Sequence, residues 1–300
     1  MSHQSNYPLN QSPLYKLRNK RKLASYFDLS LKDLNHLIMK DKDNYRVFQI
    51  KKDSVKARTV ETPKPILERI HRKLFNYLRK IDSPIYLHSG VKSRSYITNA
   101  RTHIGSHRLL KIDIEKFFPS TKKKHVYNFF YSVMKCESDV AGLLSEILTI
   151  DGHLPTGSCI SQIIAFYSHY EMFQQLYNLS KENNINMTCY VDDIVFSGMN
   201  VSKGFQFKVS KIIKNNDLNI QKRKTRLYGK YEFKLVTGVI VNSNEIRIQN
   251  CKHHKVYMKH NEIKKITDVD LIKKETKRLN GMIASATCID PQLSKLKLKL

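Results

Sequence analysis

Apolar positions recur at helical spacing over residues 14–40. Ser30 and Asp33 stand as a helix-start signal before Leu34, Leu37 and Ile38, so this stretch predicts two helices. Residues 45–50 and 55–61 read as a strand pair joined through Lys51, Lys52, Asp53 and Ser54. The period of two puts Lys56 and Arg58 on one face of the second strand. Pro63 and Pro65 then open a helix with Ile66, Ile70, Leu74 and Leu78 along one side. Residues 84–107 carry no clear period and read as loop. A strand over 109–114 ends at Phe117-Phe118-Pro119-Ser120, and helical segments follow near 122–135 and 139–149. A turn at 154–158 opens a long apolar helix to about Lys181. Residues 187–198 read as two short strands, with Asp192 and Asp193 as the two-residue turn between them. A helix over 202–215, strands near 217–221, 225–229, 235–241 and 245–249, and a basic helical tail from about 252 complete the pattern. The first 13 residues are polar and predict a loose arm.

Charge changes this picture most. The 300 residues carry 53 Lys and Arg against 26 Asp and Glu, a formal net charge of +27 spread along the chain. That balance favours a polyanion partner over a broad surface. Sixteen Tyr and thirteen Phe add rings on which bases stack, beside those the core requires. No long basic helix with a clean apolar face supports a membrane surface instead. Cys136, Cys159, Cys189, Cys251 and Cys288 are odd in number, widely spaced and never Cys-x-x-Cys. They read as buried free thiols in a reducing cytoplasm. No signal pattern or membrane-length apolar run is present, so a cytoplasmic location is expected.

The chemistry centres on carboxylates. Asp192 and Asp193 on their own fit an exposed polar turn; joined by a third carboxylate they fit a divalent-metal site, because hard oxygen ligands suit Mg²⁺. Asp113, on the apolar strand 109–114, is the candidate for the third. The order of strand, helices, hairpin, helix and strand fits an α+β fold built on a split βαβ antiparallel sheet. Such a set would hold two Mg²⁺ ions, with the carbonyl of Ile114 as an extra ligand, and Lys56, Arg58 and Lys224 would balance a triphosphate. Thr156 and Gly157 lie in the turn before the long helix, where glycine permits close approach and a helix N-terminus favours anions; a plain helix start uses the same residues. Walker A, zinc-cluster and Gly-x-Ser-x-Gly patterns are missing.

At these residues the chain resembles reverse transcriptases. Tyr190-Val191-Asp192-Asp193 matches the Tyr-x-Asp-Asp box, Asp113 with Phe117-Phe118 matches the first carboxylate motif, and Leu154-Pro155-Thr156-Gly157 is similar to the Leu-Pro-Gln-Gly turn. Asn99-Ala100-Arg101-Thr102-His103 resembles the Asn-Ala-x-x-His segment of the bacterial retron type, and Val236-Thr237-Gly238 matches its Val-Thr-Gly triplet. The resemblance spans roughly 45–250. Thr156 stands where the family has Gln, and Ser161-Gln162 where it has Ser-Pro.

The resemblance implies a right-hand polymerase: a helical extension over 1–44, fingers over 45–107, a palm over 108–238 with part of the fingers at 120–155, and a basic helical thumb over 239–300. It implies Asp113, Asp192 and Asp193 as catalytic, Phe118 as the gate against ribonucleotides, and deoxynucleoside triphosphates as substrates. It also implies a dedicated structured non-coding RNA, primed from an internal 2′-hydroxyl to give branched RNA–DNA, and a role in phage defence with an effector on a separate chain. Asn99, His103, Val236, Thr237 and Gly238 are expected to seat that RNA. Lys252, Lys255, Lys259, Lys264, Lys265, Lys273, Lys274, Lys277 and Arg278 are expected to grip its phosphates. An intron-derived or abortive-infection reverse transcriptase is the enzyme alternative, and an RNA-binding scaffold with a vestigial site is the alternative of another class.

Overall fold

The computed structural model describes residues 6–52 and 56–298, with the side chains of Lys51, Lys52 and Lys56 outside the described set. In chain order the helices are α1 (Lys20–Tyr26), α2 (Leu31–Met39), α3 (Pro65–Leu78), α4 (Tyr96–Arg101), α5 (Phe117–Ser120), α6 (Lys123–Asn128), α7 (Ser138–Leu148), α8 (Ser161–Ser168), α9 (Tyr170–Glu182), α10 (Lys203–Asn215), α11 (Asn250–Ile263) and α12 (Val269–Thr287). The strands are β1 (Tyr45–Lys52), β2 (Lys56–Pro63), β3 (Arg108–Asp113), β4 (Asn186–Tyr190), β5 (Asp193–Gly198), β6 (Arg226–Tyr228), β7 (Lys234–Val236), β8 (Val239–Val241) and β9 (Ile246–Arg247). The fold is α+β, with antiparallel pairings throughout the hairpins. The chain divides into two compact units: Met1–Ile85 with Asp113–Leu179 and Lys208–Lys222, and Tyr86–Ile112 with Ser180–Phe207 and Arg223–Leu300.

The first unit is helical around the β1–β2 hairpin. Ser30 accepts from the Asp33 N–H at 3.1 Å and caps α2. α3 buries Leu67, Ile70, His71, Leu74 and Leu78. Each fully buried Leu or Ile contributes roughly 1.5–3 kcal/mol. Ile66, expected on that face, is 55% exposed, because one residue of helix rotates it about 100° from Leu67. The single helix expected to run to about Lys181 breaks at His169. Its Nε2 lies 3.2 Å from Thr121 Oγ1 and its ring packs on Phe117, so the residue turns inward and α9 restarts beyond it. A strand expected near 217–221 reduces, among the described residues, to one antiparallel bridge between Ile114 and Ile220.

The second unit is built on the sheet ordered β4-β5-β3-β6 and on a smaller β7-β8-β9 sheet. Ala100, Leu109, Val195, Tyr228, Val236, Val239 and Val241 form one buried cluster. α11 and α12 pack through Val256, Ile263, Leu279 and Ile283. Two expectations change here. The stretch 84–107 is not all loop: α4 forms because Ser95 Oγ accepts from the Ile97 and Thr98 N–H groups while Thr98 Oγ1 accepts from the Ser95 N–H. The expected strand over 235–241 is a hairpin, turned at Thr237 (φ 43°) and Gly238 (φ 79°) with Val236 paired to Val239, the two positive angles of a type I′ turn. Among the described residues no helix is long and apolar enough to cross a membrane.

Burial holds three histidines far below the ordinary imidazole range: His71 to about 4, and His103 and His169 to about 3. Each is neutral in the fold and takes up a proton near pH 6.5 once unfolded. Their contribution is therefore complete above about pH 6.5 and is lost as pH falls toward the folded values. The urea midpoint is expected to drop between pH 7.5 and pH 5, and His71→Gln should make that drop shallower. A midpoint constant over this range would refute the account.

Candidate active site

The β4–β5 hairpin carries two of the three expected carboxylates. Tyr190 pairs with Asp193, so the turn residues are Val191 and Asp192 rather than Asp192 and Asp193. Asp193 is the first residue of β5. Val191 has φ 59°, in the left-handed region that a β-branched side chain resists, at a cost on the order of 1–3 kcal/mol. Neighbouring groups hold it there. Ser89 Oγ accepts from the Val191 N–H at 2.9 Å. Residues 86–89 run beside β4, with the Cys189 N–H donating to the Tyr86 carbonyl at 2.7 Å and the His88 N–H to the Cys189 carbonyl at 2.9 Å. This segment also covers the outer edge of the sheet.

Asp192 and Asp193 are half-buried at this rigid tip. Lys111, on β3, brings its Nζ to 3.2 Å from Asp193 Oδ1, with both side chains less than a fifth exposed. No sequence motif marks Lys111 as this partner; its place two residues before Asp113, on the same strand face, is the signal the sequence carries for it. Cys189 lies under the tip, and burial first, then the two nearby carboxylates, pushes its thiol well above the ordinary range. It stays protonated and is no nucleophile.

Asp113 is the buried last residue of β3, the strand next to β5 in the sheet. Its carbonyl accepts from the Gln221 N–H, and the Glu115 N–H donates to Asn219, which leaves the Ile114 carbonyl outside that bridge's hydrogen bonds. Among the described residues no three His, Cys, Asp or Glu side chains stand grouped closely enough to hold a metal ion.

In the first unit, Arg58 is exposed on β2 and the Lys56 side chain lies outside the described residues. Phe117 is buried against Phe173 and His169, while Phe118, stacked 6.1 Å from it, remains partly open to solvent. Thr156 and Gly157 do not open a helix, because α8 begins at Ser161. They lock onto β2 instead. Thr156 Oγ1 accepts from the Glu61 N–H at 3.2 Å and donates to the Thr59 carbonyl at 3.0 Å, and the Gly157 N–H donates to the Glu61 carbonyl at 3.0 Å. A Cβ at Gly157 would stand 2.7 Å from Thr62 Oγ1 and 2.8 Å from the Glu61 carbonyl oxygen. The close approach that glycine allows here is to a strand of the protein itself.

In the second unit, Lys224 is exposed in the turn before β6. Asn99 and His103, expected to seat RNA, are both 0% exposed. Their side chains therefore do not form a contact surface. Asn99 Nδ2 donates to Thr237 Oγ1 at 3.3 Å, and Thr237 Oγ1 donates to the Tyr96 carbonyl, which ties α4 to the β7–β8 turn. Val236 is likewise buried, and the Gly238 carbonyl is taken by Gln249 and Lys252. Lys255, Lys273 and Lys277 are exposed on α11 and α12. Lys259 differs: its Nζ lies 2.6 Å from Glu275 and 3.3 Å from Glu262, so much of its charge is answered within the fold.

No family model matches the chain. Among curated proteins it is 30% identical over 194 residues to the retron Se72 reverse transcriptase of Salmonella heidelberg, covering 64% of this chain and 51% of that protein. It is 25% identical over 252 residues to the retron Ec86 reverse transcriptase of Escherichia coli, covering 82% of this chain and 78% of that one. It is also 25% identical over 238 residues to the retron Ec48 reverse transcriptase of Escherichia coli, covering 74% and 58%. The chain thus spans about half the length of the first of these relatives. A solved foamy viral protease–reverse transcriptase with double-stranded DNA overlays with a TM-score of 0.47 at 16% identity, covering 98% of this chain and 47% of that one, too loosely to bear on function.

Proposed function

We propose that the chain is an RNA-directed DNA polymerase of the retron type. The observation that carries this reading is its similarity to several curated retron reverse transcriptases over most of its length, at the residues that include the Tyr190–Asp193 turn. On this reading the right-hand division applies, with a helical extension over 1–44, fingers over 45–107, palm over 108–238 with part of the fingers at 120–155, and a basic thumb over 239–300.

The donor chemistry suits Mg²⁺: the carboxylates are hard ligands, and Asp193 already faces a cation in the Lys111 ammonium. Asp113, Asp192, Asp193 and the Ile114 carbonyl would hold two ions by gathering around them, since among the described residues they do not stand as a ready-made cluster. When bound, they would favour the ionised form of an attacking hydroxyl and neutralise charge on the departing pyrophosphate. Lys56 and Arg58 bind the incoming triphosphate, Phe118 excludes the ribose 2′-OH, and Lys224 protonates the pyrophosphate. Lys255, Lys273 and Lys277 meet RNA phosphates, an attraction that salt weakens. The template is a structured non-coding RNA, an internal 2′-OH of which primes synthesis to leave a branched RNA–DNA. The product serves phage defence together with a separate effector.

Sequencing nucleic acid that copurifies with the full chain should return one structured RNA joined to its complementary DNA. The purified protein should extend DNA on that RNA only when Mg²⁺ is added, and a 2′–5′ debranching enzyme should free the DNA. Extension that survives a metal chelator, or ribonuclease removal of all copurified RNA with none added back, would overturn the polymerase reading. DNA with an unbranched 5′ end, made on the cognate RNA without nuclease, would overturn the priming step alone.

A further inference from the structure

His103 lies two residues beyond α4 and has no exposed surface. Both ring nitrogens are engaged by the two strands of the carboxylate hairpin. Nε2 is 2.7 Å from Thr188 Oγ1 on β4, and Nδ1 is 2.7 Å from Ser197 Oγ on β5. Ser106 Oγ in turn donates to Ser197 Oγ at 2.9 Å. The bonds form one consistent relay: the Ser106 hydroxyl donates to Ser197, the Ser197 hydroxyl donates to Nδ1, and Nε2–H donates to Thr188. A neutral ring supplies the required donor and acceptor.

Thr188 pairs with Val195, two residues before Ser197, so Thr188 and Ser197 are diagonal neighbours on one face of the hairpin. By the period of two, that face also carries Asp193. The imidazole therefore spans the seam between the strands, on the face from which Asp193 projects. A slip or splay of β5 against β4 would break one of the two short bonds and strand a hydroxyl in a buried site, which is costly. The other end of the brace is anchored as well. α4 is capped at Ser95, and Thr98 on that helix accepts or donates at 2.9 Å with His88, which belongs to the segment holding Val191.

The geometry points to His103 as a positioning residue that clamps β4 to β5 and so sets where Asp192 and Asp193 stand. It acts through Thr188 and Ser197 and touches no substrate. The catalytic part of this inference rests on the polymerase reading. It assigns a residue expected to seat RNA to the hairpin itself, and so makes a different prediction: extension of an annealed primer and initiation on the cognate RNA suffer together. Burial keeps the ring neutral, with its pKa near 3, so the clamp is unchanged across the pH range of an assay.

The test compares His103→Leu, His103→Gln and Thr188→Val in the full chain. Leucine fills space without hydrogen bonds, glutamine carries a donor and an acceptor at a spacing similar to the ring's, and valine removes one partner. For His103→Leu, kcat per titrated active site on an annealed primer should fall roughly 10- to 100-fold, since small misplacements of reacting groups cost that much. The KM for deoxynucleotides and the Kd for primer–template should stay near the original values. Glutamine should restore most of kcat. Thr188→Val should resemble His103→Leu, and the double variant should add little to either.

Hydrogen exchange of the 186–198 amides is the readout that needs no activity. It should rise roughly tenfold in His103→Leu and stay near the original rate in His103→Gln. Unchanged exchange, or unchanged kcat per active site in folded His103→Leu, would overturn the clamp. A loss confined to initiation on the cognate RNA would overturn it too and return His103 to RNA seating. An inactive unmodified protein would instead remove the polymerase reading, and the exchange rates would still decide whether the clamp exists.

Discussion

Asp192→Asn is expected to reduce DNA synthesis by at least about a thousandfold while leaving RNA affinity and the urea midpoint close to the original values. Asp192 occupies the second position of a turn whose first residue, Val191, is held at φ 59° by the Ser89 hydroxyl, and its side chain is only half-buried. Asparagine preserves shape and tolerates turn geometry, so the fold has little to lose. What goes is one unit of negative charge at the point where the proposed ions would sit. Asp113→Asn should match it. Asp193→Asn should also be inactive, and it removes the counter-charge of Lys111 besides, so this variant alone should lose some stability. Extension with purified variants on an RNA template, with filter binding in parallel, separates these outcomes. DNA yield near the original level from Asp192→Asn would sink the metal assignment.

Phe118→Val should raise the use of ribonucleotides relative to deoxynucleotides by roughly one to two orders of magnitude. The two adjacent rings are sorted by the one-turn α5. Phe117 faces inward on Phe173 and His169, whereas Phe118 stacks on its outer side and keeps a surface toward solvent. A bulky ring on the solvent side can meet the sugar 2′-OH, the group that distinguishes the two precursor classes. Phe117→Val is the contrasting variant. It should lower the melting temperature through a buried cavity and leave discrimination unchanged. Competition between a ribonucleotide and its deoxy counterpart at one template position reads the ratio directly. Equal ratios in the original protein and folded Phe118→Val would remove the gate.

Much of this protein was legible in the order of its residues. The hairpin at 187–198, the strand that carries Asp113, the capped helix after Ser30 and the helical basic tail rest on local patterns: alternation, caps and apolar period. Those signals act over a few residues, and their spacing carries the polymerase resemblance intact. Turn register was harder, because Val191 is a residue that local propensity keeps out of a left-handed position, and its N–H bond to Ser89, 102 residues earlier, helps hold it there. α4 was readable in hindsight from Ser95 and Thr98, but six residues carry too little period to announce a helix.

Tertiary packing alone decided what the remaining motif residues do. Gly157 serves contact with β2, since a Cβ there would strike Glu61 and Thr62. Lys259 is spent on Glu275. Asn99 and His103, polar and placed in an apparent loop, carried every sequence sign of a contact surface, yet they lie wholly inside. A buried polar group must find partners, and those partners, Thr237, Thr188 and Ser197, are 85 to 138 residues away along the chain. Local sequence determines which residues can donate, accept or carry charge; the fold determines whether they face a ligand or one another.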